Sequence, residues 1–585
     1  MTDPAAALLT DPLTRPVFES FTVWIASGSG LESLEERARR ALRESLRGED
    51  AGWEVKAVHE SQPGMFDLIP PEPGTLTVEQ AWNLTYTLLE QPFVVDAEPS
   101  FEILQDNADA LAFEAEEEED EEVEPMLAGT EPPIFSKALF DWCPRLIDAP
   151  GAWALPPHDP RPDDPPNRSK GGGIVIGHPD AGYQRHPEIL DEMAGLPTRM
   201  QDGWDFVDND NTVKDKSGGH GLGTASALMS AEGGPGAKFV TGVAPAARII
   251  SYRVTKPHLL LLPAPVLLES GMSRLGDALF RAVDDGCHVI SISLGWLPLE
   301  KVRRAVQHAY DSDVIVVAAA GNQVRFVVWP AHYDEVVSCA GCTSKRRPWS
   351  GSSRGKRVDI TGPAEDVWKA SVGGGGAFEV EPSSGTSFAA TSVAGTAALW
   401  LAHWGRKFLL DRYQGEFRLT AVFRRLMAES CDPPPTDDGK FGKGIVNARR
   451  LLETPLPTLE ELRAEPAFLS AEAALTVAEP TPIAGVRAVA EAFDDVPRER
   501  LNADLSLLMN VPEDELLARL QGVGRELVFH TLTNPEVRKA LLATENEEEI
   551  QFLGTATEQA AALPEARASL LEMPLSERLR RRIAL

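Results

Sequence analysis

The sequence is poor in cysteine. It holds five cysteines among 585 residues, an odd number that is too small for a disulfide framework. We therefore expect reduced, mostly buried thiols in a reducing compartment. Cys339 and Cys342 form a CxxC pair, but no second pair or histidine cluster accompanies them to complete a zinc site. The sequence thus predicts no metal-binding residues.

Basic residues and long apolar runs are also scarce. Lys and Arg number 56 against 89 Asp and Glu, a net charge of −33 that would be repelled by phosphate backbones and anionic lipid. We expect neither nucleic-acid nor membrane partners. The N-terminus has no basic residue before Arg15, and its apolar stretches are interrupted by Asp and Pro, unlike a secretory signal. These features predict a cytoplasmic protein, with leaderless export as the alternative.

What the chain does contain, 43% hydrophobic and 25% charged residues, is typical of a globular protein. Residues 1–15 are predicted to be a tail. Residues 16–105 follow a β-α-β-β-α-β order, which predicts a small α+β domain of ferredoxin-like type. Residues 106–130 include a dense run of acids, which predicts a solvated, disordered linker because like charges repel.

Residues 131–452 are rich in glycine and alternate apolar, β-branched runs with helical patterns. Runs that are apolar on both faces, such as 174–176 and 314–318, are typical of buried parallel strands. We therefore predict a doubly wound α/β domain with its active site at the carboxyl ends of the strands. Residues 453–585 change to helical stretches without recognisable chemistry, which we interpret as a docking or regulatory region for a protein partner.

Four polar side chains stand at predicted strand ends or helix starts. They are, in chain order, Asp180, His220, Asn322 and Ser387. Each alone has a structural explanation: a turn, a packed histidine, an Asn-stabilised turn and a helix N-cap. An amide at a strand end can also donate to a developing oxyanion, and a helix start favours negative charge beside the serine.

Asp, His, Asn and Ser in this order resemble the subtilisin-like serine peptidases (subtilases, peptidase family S8). Further landmarks that match are Gly242–Ala246, Ser293–Gly295 and Ile360–Pro363. The resemblance implies a serine endopeptidase acting on protein or peptide substrates. Ser387 would attack the scissile carbonyl, His220 would accept its proton, Asp180 would orient the imidazole, and Asn322 would contribute to the oxyanion hole.

The resemblance also implies a substrate site. Ser293, Leu294 and Gly295 would form an extended edge to which the substrate adds as a strand. Ala320, Gly321 and Val328 would belong to the pocket for the P1 side chain. Val328 stands where relatives often have glycine or a small polar residue. We therefore expect a shallow pocket that takes a small or medium apolar P1 side chain.

Residues 16–105 resemble the propeptide, or inhibitor-like, domain of subtilases. This implies an intramolecular inhibitor that keeps the peptidase latent as a zymogen, with residues 101–104 entering the substrate cleft. No cofactor is expected to be required. The family often binds structural Ca²⁺, and the acid-rich stretch 202–215 offers oxygen ligands for it; a solvated loop is the equal alternative, and no ligands are assigned.

Three departures from the family pattern accompany these matches. Ala181 replaces a usual threonine, Leu222-Gly223 replaces Thr-His, and Thr391-Ser392 replaces Pro-His. None removes a catalytic atom, so we expect an active enzyme. The alternative is a non-catalytic subtilase-fold protein that binds peptides or partners, against which the intact set of four residues argues. An esterase of another α/β class is disfavoured, because it expects Gly-x-Ser-x-Gly and a serine ahead of the Asp and His.

Overall fold

A computed structural model describes most of the chain and divides it into two compact units. The first unit is built from residues 103–470, and the second from residues 15–102 together with residues 471–585. The predicted tail and linker lie outside the described residues, which are 16–27, 32–104, 135–190, 198–215, 219–233, 238–258, 267–322, 324, 326–434, 440–464, 484–542 and 556–584.

The N-terminal part of the second unit has the predicted β-α-β-β-α-β order. Its antiparallel strands lie in the order β2-β3-β1-β4, as in a ferredoxin-like sheet. Ser33 and Thr77 each form a capping box at the start of a helix. The elements are β1 (Val17–Ile25), α1 (Leu34–Ser45), β2 (Glu54–Ala57), β3 (Met65–Ile69), α2 (Val78–Leu89) and β4 (Val94–Leu104).

The first unit is built on a seven-stranded sheet in which every neighbouring pair is parallel. The order is β13-β12-β11-β10-β5-β7-β6. This confirms the predicted α/β fold. The strands are β5 (Val175–Asp180), β6 (Met200–Asp205), β7 (Arg248–Arg253), β10 (Val289–Ile292), β11 (Ile315–Ala319), β12 (Val337–Cys342) and β13 (Ile360–Pro363).

Helices and shorter strands complete this unit. Two antiparallel pairs are β8 (Pro257–His258) with β9 (Leu267–Ser270), and β14 (Val367–Val372) with β15 (Phe378–Ser383). The α-helices are α3 (Trp142–Leu146), α4 (Ala149–Trp153), α5 (His220–Met229), α6 (Met272–Asp284), α7 (Glu300–Asp311), α8 (Thr386–Trp404), α9 (Arg406–Tyr413), α10 (Leu419–Ser430), α11 (Ala448–Glu453) and α12 (Leu459–Ala464), with 3-10 turns at Arg168–Lys170 and Gly374–Gly376.

Helix α8 is the central helix of the first unit. Its residues from Thr386 to His403 are all buried, because small and apolar side chains surround the helix on every face. It packs against α5 and against strands β10 to β13. Its N-terminus, which carries Ser387, is therefore held by close packing along the whole helix. All five cysteines are buried and unpaired.

The C-terminal part of the second unit is helical, as predicted. Within the described parts of the chain, no helix combines the length and hydropathy that a membrane span needs. The helices are α13 (Ala484–Ala492), α14 (Arg498–Met509), α15 (Glu513–Leu520), α16 (Gly524–Thr533), α17 (Pro535–Leu542), α18 (Ala556–Glu572) and α19 (Glu577–Ala584).

Candidate active site

Four elements of the first unit deliver the four polar side chains. Asp180 is the last residue of β5, and Asn322 follows β11 by three residues. His220 is the first residue of α5, and Ser387 is the second residue of α8. Since the carboxyl ends of neighbouring parallel strands lie along one edge of a sheet, this topology places all four at the same edge.

Asp180, His220 and Ser387 form a continuous chain of hydrogen-bonding atoms. His220 Nδ1 lies 2.7 Å from Asp180 Oδ1, and His220 Nε2 lies 3.3 Å from Ser387 Oγ. The Asp180 side chain is fully buried, whereas the His220 side chain is 27% exposed. The carboxylate is thus shielded from solvent, while the imidazole is partly exposed.

Two glycines permit the close approach of α5 to the end of β5. A Cβ atom on Gly221 would lie 2.0 Å from the carbonyl oxygen of Gly182 and 3.2 Å from Asp180 Oδ1. Gly182 itself has φ of +82°, a conformation that other residues rarely adopt. The short Asp180–His220 distance therefore depends on the absence of side chains at these two positions.

The pKa values of the pair shift in opposite directions. Burial alone would lower the pKa of His220, but the charge and hydrogen bond of Asp180 outweigh it and raise that pKa above its ordinary value. Burial alone would raise the pKa of Asp180, and the charge and hydrogen bond of His220 outweigh it and lower that pKa. Asp180 therefore stays ionised and stabilises a proton on the imidazole.

Asn322 is oriented by the residue that precedes Ser387. Its Oδ1 accepts hydrogen bonds from the backbone N–H of Thr386 (2.9 Å) and from the Thr386 hydroxyl (2.8 Å). Because a backbone N–H can only donate, this contact identifies which end of the Asn322 amide is the oxygen. The other end, Nδ2, is therefore the donor. A Cβ atom on Gly385 would lie 3.6 Å from Asn322 Nδ2 and 3.8 Å from the Ser387 nitrogen, so both donors border one space.

Ser293 lies directly against Ser387. The Ser293 hydroxyl donates to the Ser387 carbonyl oxygen (3.1 Å), and the Ser387 hydroxyl lies 3.1 Å from the Ser293 carbonyl oxygen. Leu294 and Gly295 continue this segment, and a Cβ atom on Gly295 would lie 2.1 Å from the Trp329 carbonyl oxygen. The predicted substrate-binding segment, residues 293–295, therefore contacts Ser387 at its first residue and packs against Trp329 at its last.

Gly321 and Val328, two residues that the sequence places in the pocket, lie against each other. A Cβ atom on Gly321 would lie 3.0 and 3.2 Å from the two Val328 methyl groups. The Val328 nitrogen also donates to the Ala320 carbonyl oxygen at 2.9 Å. The valine side chain therefore fills space immediately beside the segment that carries Asn322.

Two residues that the sequence analysis did not single out contact the carboxylate of Asp180. Thr224 Oγ1 lies 3.2 Å from Asp180 Oδ2 and 3.0 Å from His178 Nε2. His178 is fully buried, and burial lowers the pKa of its imidazole, which keeps it neutral. The only signal in the sequence is spacing, since Thr224 is one helical turn after His220 and His178 is two strand positions before Asp180.

The acid-rich stretch 202–215 makes contacts within the protein. The buried Arg253 guanidinium pairs with Asp205 (2.8 Å) and Asp208 (2.6 Å), and Asp202 accepts a hydrogen bond from the Tyr183 hydroxyl. Among the described residues of this stretch, no three carboxylate groups converge on one point. The Ca²⁺ expectation stays a prediction without assigned ligands.

The catalytic-domain part of the chain is similar to known proteins. The model of the subtilase family matches residues 171–441. Thermitase from Thermoactinomyces vulgaris is 31% identical over 327 residues, which cover 55% of this chain and 98% of thermitase. The chain belongs to the subtilase family. The matched residues include all four polar side chains of the site.

Two further proteins show the same similarity. The intracellular serine protease of Paenibacillus polymyxa is 28% identical over 270 residues, which cover 44% of this chain and 71% of that protein. The crystal structure of fervidolysin from Fervidobacterium pennivorans, described as keratinolytic, aligns with a TM-score of 0.52 and 18% identity. That alignment covers 76% of this chain and 62% of fervidolysin, and it supports the subtilase fold alone.

Proposed function

We propose that this subtilase is a serine endopeptidase whose triad is Asp180, His220 and Ser387. The proposal depends on one observation, the continuous contact from the buried carboxylate through the imidazole to the hydroxyl. His220 takes the Ser387 proton as the hydroxyl oxygen attacks the scissile carbonyl, and returns it to the leaving amine. Asp180 keeps the imidazole in the tautomer with Nδ1 protonated and stabilises the imidazolium.

The oxyanion of the tetrahedral intermediate would be held by Asn322 Nδ2 and the backbone N–H of Ser387. Both donors border the space above Gly385, and Thr386 fixes the amide before substrate arrives. Such preorganised donors act without reorganisation during the reaction. The N-terminus of α8 adds a favourable potential for negative charge at the same place.

Labelling with a fluorophosphonate separates an enzyme from a non-catalytic peptide-binding protein. We expect covalent labelling of the chain, located at Ser387 by mass spectrometry and lost in Ser387→Ala. Ser384→Ala is the matched control, since this serine is three residues earlier and its hydroxyl accepts a hydrogen bond from the Asp366 N–H. Absence of labelling, with and without the N-terminal domain, would establish the binding-protein alternative.

The substrate would bind as an extended strand beside Ser293, Leu294 and Gly295. The contact of Val328 with Gly321 supports a P1 pocket of limited depth. We therefore propose small or medium apolar P1 residues, with no fixed acid to attract a basic one. A peptide-library profile that preferred Arg, Phe or Tyr at P1 would contradict this specificity.

We also propose that the enzyme is kept latent by its N-terminal domain. In the first unit, Ile103 and Leu104 pair in antiparallel register with Ser270 and Glu269. The next residue, Gly271, packs on Val254, whose N–H donates to the Asp180 carbonyl oxygen at 2.8 Å. The pairing therefore occupies a strand edge close to the triad, which supports inhibition by a substrate-like strand.

One part of the expected cleft insertion is wrong. Phe101 does not supply a side chain to a cleft, because it is 7% exposed and its ring packs 4.7 Å from Phe529 inside the second unit. Only the backbone of residues 103–104 fits the inhibitory role. An apolar ring is more stable in the core of its own unit than in a solvent-facing groove.

A further inference from the structure

The N-terminal sheet domain and the C-terminal helices share one apolar core within the second unit. The ring of Phe529, on α16, lies 4.7 Å from the ring of Phe101 and 5.8 Å from that of Trp82. All three side chains are buried. Aromatic rings at these separations contribute large buried areas, so each segment covers apolar surface that the other would expose.

A buried carboxylate joins the same two segments. Glu526 is fully buried, and its Oε2 accepts hydrogen bonds from the Tyr86 hydroxyl and the Ser576 hydroxyl, both at 2.7 Å. Its Oε1 accepts from the Ser576 N–H at 2.7 Å. Burial and the Glu526 charge raise the pKa of Tyr86, which therefore remains a donor. Separation of the two segments would take the Tyr86 hydroxyl away from the buried Glu526 carboxylate.

An ion pair completes the contact at its edge. The Arg525 guanidinium donates to both oxygens of Asp96 at 2.8 Å, in the parallel geometry that suits a carboxylate. Glu98 lies 3.9 Å from the same guanidinium. The Arg525 and Asp96 side chains are 22% and 14% exposed, so this pair can be changed with less effect on the core.

We propose that the C-terminal helices are the permanent partner of the N-terminal domain and retain it on the protein after the connecting segment is cut. We call the contacts just described the clasp: Glu526, Arg525 and Phe529 from α16, with Tyr86, Asp96, Trp82 and Phe101 from the N-terminal domain. The clasp assigns a role to residues 471–585. This role rests on the proposed latency. The association of the C-terminal helices with the N-terminal domain does not itself require catalysis.

The chemistry of the clasp favours lasting attachment over a brief encounter. A buried carboxylate with three donors is stable only while all of them remain in place, because an unpaired buried charge is strongly unfavourable. The aromatic contact and the bidentate ion pair flank this charge and must open together with it. Cleavage of the backbone between residues 104 and 135 removes none of these contacts.

The test uses the full chain with Ser387→Ala, which prevents self-cleavage, and an engineered site for a specific protease between residues 106 and 130. After cutting, we expect the N-terminal fragment to remain in the main peak on size-exclusion chromatography. Arg525→Glu would place a carboxylate against Asp96 and Glu98, and we expect the fragment to dissociate at least about tenfold faster. The double variant Asp96→Arg with Arg525→Glu restores an opposite pair and should restore retention.

Arg519→Glu is the matched control, since it makes the same charge change on a C-terminal helix where the arginine pairs with Glu515 of its own helix. Hydrogen exchange provides a second measurement: peptides of α2 and α16 should lose protection together in Arg525→Glu and regain it in the double variant. Release of the fragment from the unaltered clasp, or equal retention in Arg525→Glu, would overturn the proposal. Because every variant carries Ser387→Ala, neither result bears on the triad, which the fluorophosphonate experiment tests separately.

Discussion

At the scale of single residues, Thr224 gives Asp180 a hydrogen bond that Ala181 cannot supply. Its hydroxyl lies between Asp180 Oδ2 and His178 Nε2. The same hydroxyl lies 3.1 Å from the His220 carbonyl oxygen, so Thr224 contacts both the carboxylate and the first residue of α5. We therefore expect Thr224, on a neighbouring helix, to act as a positioning residue for Asp180.

Removal of this hydroxyl should weaken the reaction. We expect Thr224→Val to lower kcat about 10- to 100-fold with little change in KM, since a hydrogen bond to a charged group contributes ~1.5–3 kcal/mol. The variant should also shift the midpoint of the acid limb of the pH profile. Loss of the Thr224 hydrogen bond changes how strongly the Asp180 carboxylate stabilises the His220 imidazolium. Thr224→Ser keeps the hydroxyl and should recover most of kcat. Equal losses in the two variants would indicate a packing defect instead.

The pH profile of the unaltered enzyme tests the His220–Asp180 pair. The imidazole accepts a proton only when neutral, so activity should fall as pH drops through the His220 pKa. Because Asp180 raises that pKa, the midpoint of the acid limb in kcat/KM should lie above about 6.5, the ordinary value for histidine. A midpoint below that value would contradict the arrangement of charges described for the site.

At the scale of elements, the segment after β11 carries two residues with proposed roles. Asn322 is the proposed oxyanion donor, and Val328 is the proposed wall of the P1 pocket. Val328→Ala should deepen the pocket and raise the ratio of kcat/KM for Phe over Ala at P1 about tenfold, in line with the 10- to 200-fold effects of single methylenes in apolar pockets. Val327→Ala is the control, since Val327 is also buried but its side chain is not among the atoms nearest Gly321. An unchanged ratio in Val328→Ala would exclude this valine from specificity.

The elements that carry the four polar side chains could be predicted from sequence because each follows a local pattern. Asp180 ends an apolar strand, and Ser387 begins a run of small residues that is helical and buried throughout. Thr224 and His178 were missed because a polar residue at a buried position has many possible partners, and periodicity indicates a face without naming a neighbour.

At the scale of the whole molecule, the clasp could not be predicted at all. Tyr86 and Glu526 are 440 residues apart, and neither segment carries a motif that specifies the other. The helical pattern of the C-terminal region indicates amphipathic faces, but the surface that covers them depends on the three-dimensional structure. The docking or regulatory role expected for those helices stays a prediction, and the structure adds that part of the same chain packs against them.

Activation should therefore need more than a cut in the linker. In the chain with an intact Ser387, we expect cleavage between residues 106 and 130 to leave fluorophosphonate labelling low. Cleavage combined with Arg525→Glu should increase the labelling rate at least about tenfold, as the inhibitory strand is then free to leave. Arg519→Glu again serves as the control. Full labelling after cleavage alone would show that the clasp does not maintain latency.

The division of one compact unit between the two ends of the chain also sets an order of assembly during synthesis. A ribosome releases residues 15–102 before the first unit and residues 471–585 after it, so the second unit is completed only after the first unit has emerged. The first unit has all of its residues earlier, and domains generally fold as their residues emerge. A nascent peptidase would thus pass through an interval in which its N-terminal domain is present but not yet secured by its C-terminal partner.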